Sequence, residues 1–385
     1  MLPAAKRIFG LDLLRCLAIL LVLLTHTIPF LDPQNIYKTS VYTGFFGVEF
    51  FFVLSGFLIG TILLKIYHQP GSFDFKNIKI FWIRRWFRTL PNYYLMFAVY
   101  AILFYFSNHI NVFTSGKYLS YLVFLQNAVS YQPNNFFQVA WSLSIEEWFY
   151  LLFPVFLFLL AKVFKTKKSS AFLITALSII AIELIARFCI AIFRSNYWDE
   201  GFRKLMPLRL DSIDIGVLAA YIRFHQPSFW NKNAKRLAIF GLVLLIPLTL
   251  YFSSDYAIYF DAVTWDHKIK AGIFLETLFF TLISFSIALL FPYLCIVKIN
   301  GGFFNTAVTF LSKISYSIYL THFFLIAVLS HMFRHYSNIK YYNILLFVCV
   351  WVVVILISAI QYTFFEVRMT ALRNYISRKQ AAIKI

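Results

Sequence analysis

The chain has 385 residues, of which 61% are apolar and 13% are charged. With a mean hydropathy of +0.74, this composition excludes an ordinary soluble domain, in which about 25% of residues are charged. The net charge of +19 suits contact with an anionic membrane surface. Because the basic residues are spread over many segments, no nucleic-acid-binding domain is predicted.

Ten apolar runs of about 17–25 residues follow one another, and each is long enough to cross a bilayer. They lie near residues 10–30, 44–64, 89–107, 142–164, 170–193, 208–224, 236–252, 271–292, 307–332 and 341–364. A shorter stretch, from Tyr118 to Val129, predicts a re-entrant or interfacial helix. We therefore expect an all-α polytopic integral membrane protein, with one transmembrane domain over residues 1–370 and a basic cytoplasmic tail over residues 371–385.

The basic residues predict the orientation of these helices, because Lys and Arg are retained on the cytoplasmic side. With the N-terminus inside, most of the 35 basic residues fall in inner segments and both termini are cytoplasmic. The first run begins like a signal peptide, but Arg15 interrupts it and no small-residue cleavage site follows. The four cysteines have unrelated spacings, so neither a disulfide framework nor a metal site is predicted.

The first run contains two ionisable residues, Arg15 and His26, eleven positions apart. On a helix this spacing puts both side chains on one face, separated by about 16 Å along the axis. Ionisable groups within a bilayer normally point into a protein interior or a water-filled cavity, so this face is a candidate site. The alternative is an arginine that snorkels to the headgroups and a histidine in an ordinary helix contact.

Several carboxylates are predicted at the same depth as His26. Glu49 lies in the outer third of the second run, Glu146 lies near the outer start of the fourth, and Arg209 and Asp211 open the sixth. A carboxylate beside a histidine can fix its tautomer and raise its basicity, as a general base acting on a hydroxyl requires. The alternative is a set of structural buried ion pairs.

Three arginines, Arg84, Arg85 and Arg88, precede Pro91 at the predicted inner entrance to the third run. Their spacing presents guanidinium groups on neighbouring positions of one helical turn. Guanidinium groups bind phosphates bidentately, so the cluster suits a nucleotide-like anion. Anchoring of the helix by the positive-inside rule is the competing interpretation.

Taken in chain order, these segments resemble the membrane-bound acyltransferase family 3, which includes bacterial O-acetyltransferases of surface polysaccharides. The resemblance covers nearly the whole chain and rests on Asp12, Arg15, His26, Gly47, Glu49, Phe51, Phe52, Ser55, Gly56, Arg84, Arg85, Arg88, Pro91, Tyr93, Trp141, Ser142, Leu143, Glu146, Phe149, Tyr150, Arg209, Asp211, Gly216, Ser315, Tyr316, Tyr319 and His322. Two departures are Cys16 in place of the usual glycine, and Glu366-Val-Arg in place of the usual Glu-x-Pro. The second departure concerns how the last helix ends.

The resemblance implies transfer of an acyl group, most often acetyl from acetyl-CoA, to a sugar hydroxyl, with His26 as the catalytic residue. In the simplest mechanism His26 deprotonates the acceptor, Glu146 or Glu49 orients its imidazole, and Arg15 lines the donor path. A covalent acyl-histidine stays open as a variant. The donor phosphates are expected at the inner surface, on Arg84, Arg85, Arg88 and Tyr93. Acceptor contacts are expected from Trp141, Ser142, Arg209, Asp211, Tyr316 and His322.

The acceptor implied by the resemblance is a cell-surface glycan such as lipopolysaccharide O-antigen, and the location a bacterial inner membrane. Peptidoglycan, other glycolipids and macrolides are alternative acceptors within the family range. Some members carry a fused extracytoplasmic hydrolase-like domain, which is not recognised after the tenth run, so direct transfer is the simpler expectation. The alternative function is a transporter or flippase that uses buried ion pairs, although no matched inverted repeat is found. The sequence predicts no oligomeric state.

Overall fold

The computed structural model describes residues 7–31, 36–69, 73–106, 116–130, 136–164, 168–193, 198–261, 272–299 and 301–372. Within these ranges the chain is helical and contains no strand. The expected basic tail over residues 371–385 falls almost entirely outside the described residues. The protein is therefore an all-α polytopic membrane protein, as the apolar runs predict.

The helices vary widely in length, from four to 32 residues. They are α1 (Phe9–Thr27), α2 (Ile36–Tyr67), α3 (Phe75–Phe106), α4 (Tyr118–Leu122), α5 (Ala140–Phe164), α6 (Lys168–Phe193), α7 (Leu210–His225), α8 (Pro227–Lys232), α9 (Ala234–Asp261), α10 (Ile273–Glu276), α11 (Leu278–Ala288), α12 (Phe291–Ile296), α13 (Gly302–Phe333) and α14 (Tyr342–Gln361).

Nine segments of the described chain are long and apolar enough to cross a membrane, and α11 and α12 together form one of them. The sixth predicted run, residues 208–224, corresponds to α7, which has 16 residues and a length of about 24 Å. This is shorter than the hydrocarbon core of about 30 Å. Its residues 211–217 are all buried, so the first half of α7 is surrounded by protein.

Two predicted boundaries are wrong. The third helix begins at Phe75, not near residue 89, because its basic residues lower the local hydropathy of a segment that nevertheless forms helix. Arg85 therefore lies ten positions inside α3, about 15 Å from its start, and not at the entrance. The short helix α4 ends at Leu122 and does not extend to Val129.

The closest helix packing joins α2 and α7 through two glycines. A Cβ on Gly56 would lie 1.7 Å from the carbonyl oxygen of Ile213, and one on Gly216 would lie 2.0 Å from that of Val53. Only glycine allows two helix backbones to approach this closely. The contact holds α7 parallel to α2, with Arg209 beside Glu49 at the start of α7 and His68 beside Phe224 near the C-terminal ends of both helices.

Helix α1 lies between α2 and α13. Its C-terminal end meets α2 in an antiparallel arrangement, with the Thr25 and Thr43 hydroxyls 2.7 Å apart. It runs parallel to α13, because the Ser312 hydroxyl donates to Asp12 at one end and His26 packs on His322 near the other. The face of α1 that carries Arg15 and His26 is thus covered by protein.

The chain stays helical through the position where the family proline is replaced. A π-helical turn, Tyr362–Glu366, follows α14, and helix continues to Leu372. The Glu366 side chain turns inward and accepts a hydrogen bond of 3.0 Å from Ser317. Arginine at position 368 permits this continuation, since proline there would remove a backbone donor.

Candidate active site

A cavity of about 90 Å³ lies among α1, α2, α3, α5 and α13. This volume holds several water molecules or a slender acyl-bearing chain. Three arginines line one part of its wall and a serine–tyrosine pair lines another. The lining residues that matter for the chemistry are Arg15, Arg85, Arg88, Glu146, Ser142 and Tyr319.

Arg85 is fixed in the cavity wall by α5. Its Nη2 donates to Glu146 Oε2 at 3.2 Å and to the Tyr150 hydroxyl at 2.8 Å, and its guanidinium lies 4.2 Å from the centre of the Tyr150 ring. Tyr150 donates in turn to Glu146 at 2.8 Å, and Ser55 donates to the other carboxylate oxygen at 3.2 Å. Glu146 therefore positions Arg85.

The remaining arginines make the cavity mouth positive. Arg15 has 17% of its side chain exposed, and its Nη1 lies 3.9 Å from Asp12. Asp12 is shared with Arg7, which donates to it at 2.6 Å. The charges of Arg7, Arg85 and Arg88 all act on Arg15, and Arg88 is exposed. Arg15, Arg85 and Arg88 thus all line the cavity, and guanidinium groups in this arrangement suit an anion.

Beside the serine–tyrosine pair lie two histidines. Ser142 and Tyr319 are 2.5 Å apart through their hydroxyls, and the Tyr319 ring is 5.9 Å from that of His322. The His322 ring is 5.2 Å from that of His26, whose other ring neighbour is Phe323. Neither histidine is among the residues that line the cavity. Tyr319, which does line it, separates the cavity from the pair of imidazoles.

The expectation that Glu146 or Glu49 orients His26 is wrong, because both carboxylates have other partners. Glu49 forms a fully buried ion pair with Arg209 and accepts a hydrogen bond from Ser284, while Glu146 holds Arg85. Matching depth along two helices does not settle the direction in which each side chain points. In a low-dielectric interior a carboxylate pairs with an accessible guanidinium.

Arg209 and Asp211 also do not line the cavity. Asp211 forms a bidentate ion pair with Arg187, at 2.7 and 3.0 Å, and both side chains are fully buried. These residues tie α7 to its neighbours α2 and α6. For them the alternative of structural ion pairs describes the geometry.

Among the other expected site residues, Tyr316 lines the cavity, whereas Tyr93, Trp141 and Arg84 do not. Tyr316 lines the cavity and donates to the Thr89 carbonyl at 2.9 Å. Tyr93, expected at the donor site, instead donates to the Tyr121 carbonyl and joins α3 to α4. Trp141 is buried beneath the Arg203 guanidinium, 5.0 Å from the ring centre, and Arg84 is not among the residues that line the cavity.

The sequence assigned no role to Tyr150 or Tyr319. In the structure Tyr150 accepts a hydrogen bond from Arg85, and Tyr319 shares one with Ser142. Tyr150 could have been found, because it lies four residues after Glu146 and so shares its helix face.

A further group of charged residues lies before α7, where Asp199 forms ion pairs with Arg203 and Lys204. Burial works against ionisation there, but the two cations lower the pKa of Asp199. Both cations also act electrostatically on His26.

Comparison with known proteins decides the family. A family model described as an acyltransferase domain, Acyl_transf_3, matches residues 8–363. The chain belongs to this acyltransferase family. In the described part of the chain no group of three or more His, Cys, Asp or Glu could hold a metal ion.

Relatives of this acyltransferase are named as O-acetyltransferases. "Putative O-acetyltransferase SACOL0978" of Staphylococcus aureus is 30% identical over 86% of this chain and 52% of its own length. "Putative peptidoglycan O-acetyltransferase YrhL" of Bacillus subtilis is 32% identical over 50% of the chain and 29% of its own length. "Peptidoglycan O-acetyltransferase OatA" of Listeria monocytogenes is 35% identical over 42% and 26%.

The chain thus spans about half the length of the Staphylococcus relatives it matches. No solved structure matches it. The family and the names of these relatives support a membrane O-acetyltransferase.

Proposed function

We propose that this protein transfers an acetyl group from acetyl-CoA to a hydroxyl of a cell-surface glycan. The observation that carries the proposal is a cavity lined by Arg15, Arg85 and Arg88. Its wall also contains Tyr319, whose ring packs on His322 and through it reaches His26. An arginine cluster suits the phosphates of a CoA donor, and an imidazole suits removal of a proton from a hydroxyl. Peptidoglycan is the first acceptor to test, since two relatives are named for it, and O-antigen is the second.

The donor phosphates would bind Arg15 and Arg88 at the cavity mouth, with Arg85 deeper in the wall. The phosphopantetheine arm would then extend along the cavity toward Ser142, over a distance similar to the 16 Å or so between Arg15 and His26 on α1. This path needs no carrier other than the protein. It replaces the expectation that the whole arginine cluster lies at the inner surface.

In the proposed reaction His26 takes the proton of the acceptor hydroxyl as the oxygen attacks the thioester carbonyl. The carbon–sulfur bond then breaks, and the CoA thiolate receives the proton from His26. No atom is left over, and the products are the O-acetyl glycan and free CoA. The acyl-histidine variant differs because His26 itself attacks the carbonyl first, and rapid acid quenching with labelled acetyl-CoA would trap that species.

The test compares His26→Ala with His331→Ala, an exposed histidine near the end of α13. We expect His26→Ala to lower acetyl transfer by at least about 10²-fold, because it removes the base, while acetyl-CoA binding stays unchanged. The His331 variant should behave like the unmodified protein. Full transfer by the His26 variant would remove His26 from the mechanism, and absence of acetyl-CoA binding by the unmodified protein would refute the donor.

We also propose that the donor enters from the cytoplasm and the acceptor from the other side. Proteoliposomes test this with acetyl-CoA on the side of Arg88 and an impermeant glycan acceptor on the opposite side. Acetylated glycan should then form. If product forms only when both substrates share the Arg88 side, the reaction is cytoplasmic, and the acyltransferase function itself is unaffected.

A further inference from the structure

The side chain that faces His26 is a second histidine. His322 lies on α13, which runs parallel to α1, and the two rings are tilted by 37° with centres 5.2 Å apart. The carboxylates expected in this place are held by Arg85 and Arg209. The partner of His26 is thus an imidazole from the far end of the sequence.

The backbone of α13 determines which nitrogen of His322 carries a proton. Nδ1 lies 3.0 Å from the carbonyl oxygen of Ile318, one turn earlier. A carbonyl only accepts hydrogen bonds, so Nδ1 must donate, and the neutral ring then presents Nε2 as an acceptor. Helix geometry therefore fixes the tautomer of His322 without a second side chain.

The Nε2 atom of His322 is fully buried and has no hydrogen-bond partner in the described part of the chain. A buried acceptor without a partner is unfavourable, and such atoms in a native structure call for an explanation. The ring of His26 is close by and carries an N–H in its neutral form. With the two ring centres 5.2 Å apart, rotation of the His26 side chain can direct that N–H toward His322.

We propose that His322 is the positioning residue of His26. Its Nε2 accepts the N–H of His26, which leaves the other ring nitrogen of His26 unprotonated and free to act as the base. The inference rests on the function proposed above and adds a residue to it. Histidine takes the place that a carboxylate fills in a serine protease triad.

A single proton moves in the proposed reaction, from the acceptor hydroxyl to His26 and then to the thiolate. The acceptor O–H bond breaks and its proton joins the free nitrogen of His26, while the N–H shared with His322 stays in place. The new carbon–oxygen bond forms, the carbon–sulfur bond breaks, and the same proton passes to the thiolate. His322 binds the imidazolium that exists between these two transfers and does not itself react.

Activity should then depend on two histidines being neutral. Protonated His26 cannot act as a base, and protonated His322 cannot accept a hydrogen bond. Arg203 and Lys204 act on His26 from the segment before α7, and Tyr319 faces His322 from its own helix. Histidine is the side chain that normally changes charge between pH 5 and 8, so the acid limb of kcat should reflect two protons.

The experiment compares His322→Gln with His322→Leu in the purified protein, with kcat and KM for acetyl-CoA measured from pH 8 down to the lowest pH at which the protein stays folded. Glutamine keeps an acceptor oxygen near the place of Nε2, so kcat should stay within about tenfold of the value for the unmodified protein. The acid limb of kcat should then reflect one proton. Leucine removes the acceptor, so kcat should fall at least about 10²-fold with KM unchanged. A merely structural histidine would make both variants alike.

The inference is overturned if leucine retains kcat, if both variants lose activity equally, or if the glutamine variant keeps a two-proton acid limb. If the leucine variant does not fold, the pH profile of the glutamine variant decides alone. His26→Ala is measured in parallel. When that variant is inactive and the unmodified protein transfers acetyl, failure of the His322 test refutes this inference only; when the unmodified protein transfers nothing, the proposed function fails.

Discussion

Replacement of Arg85 by alanine tests the donor site most directly, because its neighbour Arg84 provides a matched control. Arg85 lines the cavity and Arg84 does not. A charge-assisted hydrogen bond contributes about 1.5–3 kcal/mol, which corresponds to an increase in Kd for acetyl-CoA of about 10- to 150-fold. Arg85→Ala should lie in this range, and Arg84→Ala should stay within about twofold.

The ion pair with Glu146 adds a second, sharper expectation. Loss of Arg85 leaves the Glu146 carboxylate unpaired in the cavity wall, where it repels the donor phosphates. The double variant Arg85→Ala/Glu146→Gln should therefore bind acetyl-CoA more tightly than Arg85→Ala alone. Arg85→Lys should rescue binding only in part, because an ammonium lacks the planar fork of a guanidinium.

Isothermal titration at two salt concentrations measures these affinities, and a thermal melt of each variant shows that it is folded. Binding by the unmodified protein should weaken with salt, since the contacts are ionic. Equal losses in the Arg84 and Arg85 variants would refute the assignment. So would unchanged affinity in both Arg85→Ala and Arg88→Ala, and these arginines would then anchor the helix.

Three further predictions concern stability. Gly56→Ala should cost about 1–3 kcal/mol through overpacking, seen as a lower Tm and weaker transfer, whereas Gly272→Ala, with open space around its Cα, should change neither. Asp211→Asn should cost about 3–5 kcal/mol, because it leaves Arg187 buried without a counter-charge; a Tm equal to that of the unmodified protein would contradict this. Asp199 has a lowered pKa in the folded protein, so its ion pairs stabilise the fold above the unfolded pKa of about 3.9 and lose effect as pH falls through the lower folded value. Melts in acid should therefore show a weaker pH dependence for Asp199→Asn, and an identical slope would count against the pairing.

The membrane architecture could be predicted because hydropathy along the chain reports directly on bilayer crossing. Every apolar run appears as helix in the described residues, including α7, which is too short to cross alone. What hydropathy missed is the first third of α3, where basic residues interrupt an apolar pattern. One of these basic residues, Arg85, is held in the bundle by Glu146 and Tyr150 of α5. The sequence of α3 alone does not reveal those partners.

The sequence predicted which residue types lie near the candidate site, but it did not predict which side chains pair with one another. Residue types and depth placed Glu49, Glu146 and Arg209 near His26, yet the rotation of each helix about its axis decides which side chains meet. That rotation depends on packing between distant segments, such as the glycine contact of α2 with α7. Sequence periodicity gives the faces of each helix and leaves their mutual orientation open.

The pairing follows a common physical rule once the helices are placed. Glu49, Glu146 and Asp211 are each neutralised by a buried or nearly buried arginine, since an unpaired charge within a bilayer is costly. With these carboxylates occupied, the partner left for His26 is neutral. The same pairing fixes Arg85 in the cavity wall, where Arg15 and Arg88 also lie. We therefore expect an anionic donor to be held first where these three guanidinium groups line the cavity.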